Sequence, residues 1–410
     1  VIFKVLAEGH YRLVDAEHGI EFDADRLRRD RGELIGELSV SCGLTGARVI
    51  DDGVLSVGTF NFSSPRTRQE HAKRLAERSR TSGQLDWHRY LEELCQRVIK
   101  AERTGPPAVN LRHLPRPEAD VDHEVDGFRF PQHHPTILFG DGGACKSLLA
   151  LYLAGRLAQR GLRLGMFDWE LDAAQHRLRL EGLFGQDLPD IFYVRCDRPL
   201  IYEADRLQRL TQQEQLDYIL YDSAGFACHG KPEDAEQALA YFRAQRQIGR
   251  GSLSLAHMTK SDGGNGANEH KPFGSAFWFN SARSAWFIKL ASTSPDGRVS
   301  TIGLYHRKAN LGARQPALGF EVTFDGDRTC IHRVNVAEVE ALASSLPLWQ
   351  RMKDALRDGP QTLASLAADL GAPVDSIDKT VRRKSQLFTK VSTLEDHITR
   401  IALVENRRAS

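Results

Sequence analysis

The chain has 410 residues, 41% of them apolar and 27% charged, with 55 Lys and Arg against 54 Asp and Glu. At about 150 residues per domain this length predicts two to three domains, and the composition excludes long disordered or collagen-like sequence. Overall neutrality also excludes binding of nucleic acid by bulk charge, so a nucleic-acid partner would have to meet a local basic patch.

Residues 1–103 open with short alternating apolar runs at 1–5, 10–14, 47–50 and 54–62. The first reads as a strand and not as a signal peptide. Turn residues Asp51-Asp52-Gly53 and Ser63-Ser64-Pro65 bound the later runs. Two helices follow, the second with Trp87, Tyr90, Leu91, Leu94 and Val98 at helical spacing. The segment predicts a small α+β domain with no catalytic constellation. Arg26, Arg28, Arg29 and Arg31 lie among Asp23, Asp25, Asp30 and Glu33 and read as a solvated face. Residues 104–120, with Pro106, Pro107, Pro115 and Pro117, have linker composition.

Residues 121–340 alternate apolar runs with helical patterns. Strands are predicted at 136–139, 163–168, 191–195, 218–222, 252–256, 285–290 and 299–306, with helices after the first, second and fourth. Such alternation predicts an α/β fold with a mainly parallel sheet covered on both faces. Residues 346–410 read as helices at 348–356, 363–370 and 375–384, then strands at 387–391 and 398–404. That order is the winged-helix order. Its third helix carries Lys379, Arg382, Arg383 and Lys384, with Lys390 beyond, a basic patch suited to a major groove. Asp375 and Asp378 open the same helix and would repel phosphate if they faced it; a winged helix used for protein contacts is the other reading.

The six cysteines, Cys42, Cys95, Cys145, Cys196, Cys228 and Cys330, form no CxxC pair. That excludes a zinc ribbon and fits a reducing, cytoplasmic setting. No apolar run approaches the roughly 18 residues of a membrane span.

Chemistry concentrates in the segment 121–340. Gly140, Asp141, Gly142, Gly143, Ala144, Cys145, Lys146 and Ser147 spell GDGGACKS between an apolar strand and a helix. In that context the G-x-x-x-x-G-K-[ST] spacing aims backbone N–H groups and the helix dipole at a phosphate. Lys146 would neutralise the β- and γ-phosphates of ATP and Ser147 would ligate Mg2+. The glycine expected before the lysine is Cys145, which adds volume where backbone meets phosphate. With φ above zero it also costs about 1 kcal/mol. Asp222 ends the strand in QLDYILYDSAG as a second Mg2+ holder, with Ser223 beside it. Asp168 and Glu170 end another strand, where a carboxylate can activate the attacking water. His257 ends SLSLAH, placed to sense the γ-phosphate.

These stretches together resemble the RecA-fold ATPases of the RepA and DnaB-like replicative helicase group. The resemblance covers residues 121–330. It implies a ring-forming homo-oligomer, often a hexamer, with ATP between subunits. It gives Lys146, Glu170, Asp222 and His257 the catalytic roles of lysine, glutamate, Walker B acid and strand-end switch. Arg307 and Lys308, in LYHRKANLGARQ, match the basic residues that reach a neighbour's γ-phosphate. The loop KSDGGNGANEHKPF corresponds to a channel loop that touches single-stranded DNA, with Lys260, Lys271 and Phe273 as contacts. Three activities stay open at this point. They are a DNA-translocating helicase, an ATP-dependent DNA-binding switch of slow turnover, and a small-molecule kinase.

Overall fold

The computed structural model describes residues 1–7, 9–81, 85–105, 108–115, 122–257, 275–336, 339, 342, 346–392 and 398–404. The chain divides into two units, Val1–Arg116 and Pro117–Ser410.

In the first unit, five strands form an antiparallel meander: β1 (Ile2–Ala7), β2 (His10–Asp15), β3 (Ile20–Asp30), β4 (Glu33–Cys42) and β5 (Val54–Asn61). Period-two burial explains β3 and β4, which lie where no strand is predicted. Ile20, Phe22 and Ala24, then Leu34, Leu38, Val40 and Cys42, enter the core. Glu21, Asp23 and Glu37 take the outer face and disguise both strands as charged loops. The run 47–50, predicted as a strand, is not one: its backbone makes no strand ladder, and β4 pairs directly with β5. Arg26, Arg28, Arg29 and Arg31 are exposed. Helices α1 (Pro65–Ser79) and α2 (Trp87–Thr104) cover the inner face, with Leu75, Trp87, Leu91, Leu94 and Val98 in the same core as the strands.

The second unit begins with a small hairpin, β6 (His123–Val125) and β7 (Phe128–Phe130). A β-α series follows: β8 (Pro135–Gly140), α3 (Lys146–Ala158), β9 (Leu164–Asp168), α4 (Ala173–Phe184), β10 (Ile191–Arg195), α5 (Leu200–Gln213), β11 (Tyr218–Asp222), α6 (Ala235–Ile248) and β12 (Gly251–His257). Then come α7 (Ala276–Ser281), β13 (Ser284–Thr293), β14 (Val299–Ala309), β15 (Leu318–Asp325) and β16 (Arg328–Val334). The nine strands lie in the order β10-β9-β11-β12-β8-β13-β14-β15-β16. All pairs from β10 to β13 are parallel and the last three pairs are antiparallel. The fold is therefore α/β with a large, mostly parallel sheet.

Alternate residues of each central strand feed opposite cores. Leu138, Met166, Leu220 and Leu255 pack with Leu149, Leu153 and Leu157 of α3. Phe139, Phe167, Tyr221 and Phe287 pack with Leu200 and Leu207 of α5, Phe242 of α6 and Trp278 of α7. Two-sided burial is why β9 and β11 read as unbroken buried runs. Helix α5 is an addition to the predicted series. Its Leu200, Ala204, Leu207 and Thr211 are buried at helical spacing within an otherwise charged stretch. Strands β15 and β16 are likewise additions.

Toward the carboxyl end, α8 (Leu348–Ala355), α9 (Leu363–Leu370) and α10 (Val374–Arg383) accompany a three-stranded sheet, β17 (Gln361–Thr362), β19 (Thr399–Leu403) and β18 (Phe388–Ser392) in that order. They close on their own core of Met352, Leu366, Ile377, Val381, Phe388 and Ile401. Among the described residues, no helix is long and apolar enough to cross a membrane.

Candidate nucleotide-binding site

Sheet order decides which loops share a site. Strand β12 lies between β8 and β11, and β9 lies on the far side of β11, so four parallel carboxyl ends stand side by side. Ligands of open α/β sheets bind at this edge. Gly140 ends β8, Asp168 ends β9, Asp222 ends β11 and His257 ends β12. Register pairs His257 with Gly140 and Asp222 with Asp168. Residues scattered over 118 positions of sequence thus meet along one rim.

Two glycines of the loop have identifiable causes. A Cβ on Gly140 would lie 2.3 Å from the Ile288 carbonyl oxygen, so the close approach of β13 demands glycine there. Gly143 has φ +77°, a conformation that glycine adopts freely. Nothing lies within 4 Å of a Cβ built on Gly142 or Gly143, which leaves a cradle open on that side. Cys145 has φ +56° and ψ 25° at the cap of α3, so the left-handed strain of roughly 1–2 kcal/mol applies to it. Burial pushes its thiol up, against the pull of Lys146, so it stays protonated and unreactive.

Lys146, the first residue of α3, is only 8% exposed. Its Nζ donates to the carbonyls of Gly140 at 3.0 Å and Asp141 at 2.6 Å. Burial lowers its pKa, while Asp222, Glu170 and Asp141 push it back up. The ammonium is thus held at the loop by two neutral acceptors that an anionic phosphate would outbid. The Ser147 hydroxyl faces the carboxyl of Asp222 and pulls its pKa down. Burial pushes Asp222 up to about 6; Glu170 and Asp168 act the same way, and the Ser147 hydroxyl opposes them. A buried carboxylate beside two others and a serine hydroxyl is a donor set that fits a hard divalent cation.

The sign of the pH response follows. Protonation of Asp222 below about pH 6 removes the charge a cation needs, so Mg2+-dependent nucleotide affinity should fall as pH drops from 8 to 5. For the fold without cation the sign reverses. A carboxyl raised from 3.8 to about 6 contributes stability below 3.8 that is lost as pH rises through about 6. Asp222→Asn should therefore melt higher than wild type at pH 7.5 and lose that margin toward pH 5. A constant margin across this range would refute the assignment.

Glu170 lies two residues beyond the end of β9, exposed at the rim, and accepts a hydrogen bond from the Ser223 hydroxyl. The exposed His257 feels Lys146 and Glu170; partial desolvation and Lys146 hold its ring below the ordinary imidazole value. The structure thus brings Lys146, Ser147, Glu170, Asp222 and His257 together. Arg307 and Lys308 lie elsewhere. Strand β14 runs against β13, so Lys308 stands opposite Ala285, at the amino end of the parallel strands, while Gly140 stands opposite Ile288. Lys308 Nζ donates to the carbonyls of Phe279, Asn280 and Ala282 at 2.7–2.9 Å and caps α7. Arg307 lies half-buried over the rings of Phe287 and Tyr305.

Lys260, Lys271 and Phe273 lie outside the described residues. On α10, Asp378 pairs with Arg382 and with Lys390 of β18, and Asp375 pairs with Lys379. Lys384 sits 5.3 Å over the Trp349 ring, and Arg383 is exposed. The two acids thus neutralise part of the basic patch without cancelling it.

Sequence reasoning passed over His176 and Tyr193. His176 Nε2 lies 3.3 Å from Asp168 Oδ2, and Tyr193 Oη donates to the same oxygen at 3.2 Å. No local pattern signals either residue, because the pairing of β9 with β10 and the seating of α4 create both contacts.

No family model matches the chain, and no curated protein matches it. Among solved structures the chain is similar to a KaiC-like protein from the hyperthermophilic archaeon Pyrococcus horikoshii. The identity is 13% and the TM-score 0.39, over 50% of this chain and 91% of that one.

Proposed function

We propose that this chain is a RecA-like P-loop ATPase that binds ATP with Mg2+ and acts on DNA as a ring-forming, helicase-type motor. One observation carries the ATPase reading: Lys146, Ser147, Asp222, Glu170 and His257 converge at the carboxyl ends of four adjacent parallel strands. On this reading Lys146 exchanges the Gly140 and Asp141 carbonyls for phosphate oxygens, and the N–H groups opening α3 point at the same anion. Ser147 and Asp222 hold the cation, which supplies charge neutralisation across the phosphates. Glu170, oriented by Ser223, accepts a proton from the attacking water. His257 stands between the loop and Glu170 and reports the presence of the terminal phosphate to β12.

Lys308 and Arg307 sit at the far end of the sheet from their own loop. A role for them at a nucleotide would therefore require a neighbouring copy, as in the proposed homo-oligomer with ATP between subunits. The helices and small sheet of residues 346–404 support a winged-helix reading, with Lys379, Arg382, Arg383 and Lys384 facing duplex DNA. Lys260, Lys271 and Phe273 are the proposed contacts to single-stranded DNA.

A second reading, an ATP-dependent DNA-binding switch of slow turnover, is favoured by two observations. Cys145 occupies a left-handed position at the phosphate loop, and Lys308 spends its donors on α7. One experiment separates the two: ATP turnover with and without single-stranded DNA, beside strand displacement on a forked duplex. A motor shows DNA-stimulated turnover and displacement. ATP binding and assembly without displacement identify a switch. Cys145→Gly in the same assay should raise turnover by roughly 5- to 30-fold if the 1–2 kcal/mol of strain resists the catalytic loop geometry; an unchanged rate clears the thiol.

A further inference from the structure

Asp168 is fully buried at the end of β9, with β11 and β12 between it and the strand that leads into the phosphate loop, yet the ATPase reading uses only the nearby Glu170. Its surroundings are specific. Oδ1 accepts the backbone N–H of Glu170 at 3.0 Å and Oδ2 that of Leu171 at 3.0 Å. Oδ2 also meets His176 Nε2 at 3.3 Å and Tyr193 Oη at 3.2 Å. The same turn is held from other sides. Trp169 N donates to the Asp222 carbonyl at 2.7 Å, and Trp169 Nε1 to the Arg198 carbonyl at 2.8 Å. Tyr193 Oη shares its one hydrogen between Asp168 Oδ2 and the Leu171 carbonyl, 2.8 Å away, and Arg195 Nη1 donates to the same carbonyl at 2.7 Å.

We infer that Asp168, His176 and Tyr193 form a seat whose task is to position Glu170, and that His176 and Tyr193 are positioning residues for hydrolysis. This rests on the ATPase reading above. Donor atoms of Asp168, His176 and Asp222 come within 4.8 Å of one another, which raises a buried metal site as a rival. Each Asp168 oxygen, however, already accepts a backbone N–H of the turn, Oδ1 from Glu170 and Oδ2 from Leu171, and the side chains of His176 and Tyr193 also meet Oδ2, so the carboxylate serves the turn. Glu170 itself is exposed at the rim, where a long side chain on an unsupported turn would sample many placements. Asp168 removes that freedom at the backbone, Ser223 removes it at the carboxylate, and His176 with Tyr193 keeps Asp168 from rotating. The seat spans β9, α4 and β10, so it links the outer part of the sheet to the reacting end.

The full chain carrying Tyr193→Phe, His176→Phe or His176→Gln tests the seat, with ATP and Mg2+ as the probes. Tyr193→Phe keeps the ring and removes only the hydroxyl, so it should fold. Displacing a catalytic group by about 1 Å costs roughly 100-fold, so the two Phe variants should lose about 10- to 100-fold in kcat with ATP affinity changed less than about twofold. His176→Gln, which restores a donor, should recover most of that loss. A purely structural seat would lower the melting temperature and leave kcat intact, and that result overturns the inference. So does a parallel fall of kcat and affinity. Wild type that binds ATP and never turns it over overturns the hydrolysis reading itself, and the seat's purpose with it.

Discussion

Replacing Glu170 by Gln lowers ATP turnover roughly 100- to 10,000-fold, the worth of a positioned general base. Nucleotide affinity stays near that of wild type. The substitution keeps side-chain length and an oxygen that accepts the Ser223 hydroxyl, so the rim is undisturbed. It removes only the ability to take a proton. Steady-state turnover beside equilibrium ATP binding makes the check. Turnover equal to wild type would move the base elsewhere, and Asp168 is a poor substitute because it is buried and its oxygens are occupied.

Lys146→Ala should fail at an earlier stage. Hydrogen bonds to charged groups are worth about 1.5–3 kcal/mol each, so losing one such contact to a phosphate weakens ATP binding by roughly 10- to 150-fold. Turnover falls with it. The contrast with Glu170→Gln is diagnostic, since one variant loses rate and affinity and the other loses rate alone. Calorimetric titration of ATP with Mg2+ into both variants decides. Wild-type affinity in Lys146→Ala would mean that the ammonium stays on the Gly140 and Asp141 carbonyls, and that the loop cradles no phosphate.

Much of the site is legible in linear sequence because its physics is local. A strand, a glycine-bearing turn and a helix opening on Lys-Ser form one short segment, and their dipoles and N–H groups point where the segment points. Acids at strand ends are legible for the same reason. Apolar runs ending in Asp168 and Asp222 predict both the strands and the rim that they reach. The cysteine at position 145 is legible as an anomaly, and its φ of +56° is the strain anticipated for it.

Other features depend on contacts between distant segments. The charged faces of β3 and β4 hide period-two burial until a core exists to receive it. Helix α5 is visible only once Leu200, Ala204 and Leu207 have a sheet to cover. The fate of Lys308 is decided by α7, whose open carbonyls it caps, and nothing in the surrounding sequence foretells that. The same holds for Asp378, which reads as a repulsive acid in sequence and pairs with Arg382 and Lys390 in the fold.

From residue order alone come the phosphate loop and the acids at strand ends, which follow from spacing within a dozen residues, and the α/β class, which follows from the alternation of apolar runs and helical patterns along residues 121–340. The tertiary fold adds the insertion of β12 between β8 and β11, which puts His257 beside Lys146 and Glu170. It adds the seat beneath Glu170, and it sends Arg307 and Lys308 to the opposite end of the sheet. Parallel strands carry no local code for their neighbours, because their connections leave the sheet through a helix and return at a place that packing selects. Strand order, and with it the composition of the site, is therefore a property of the whole fold.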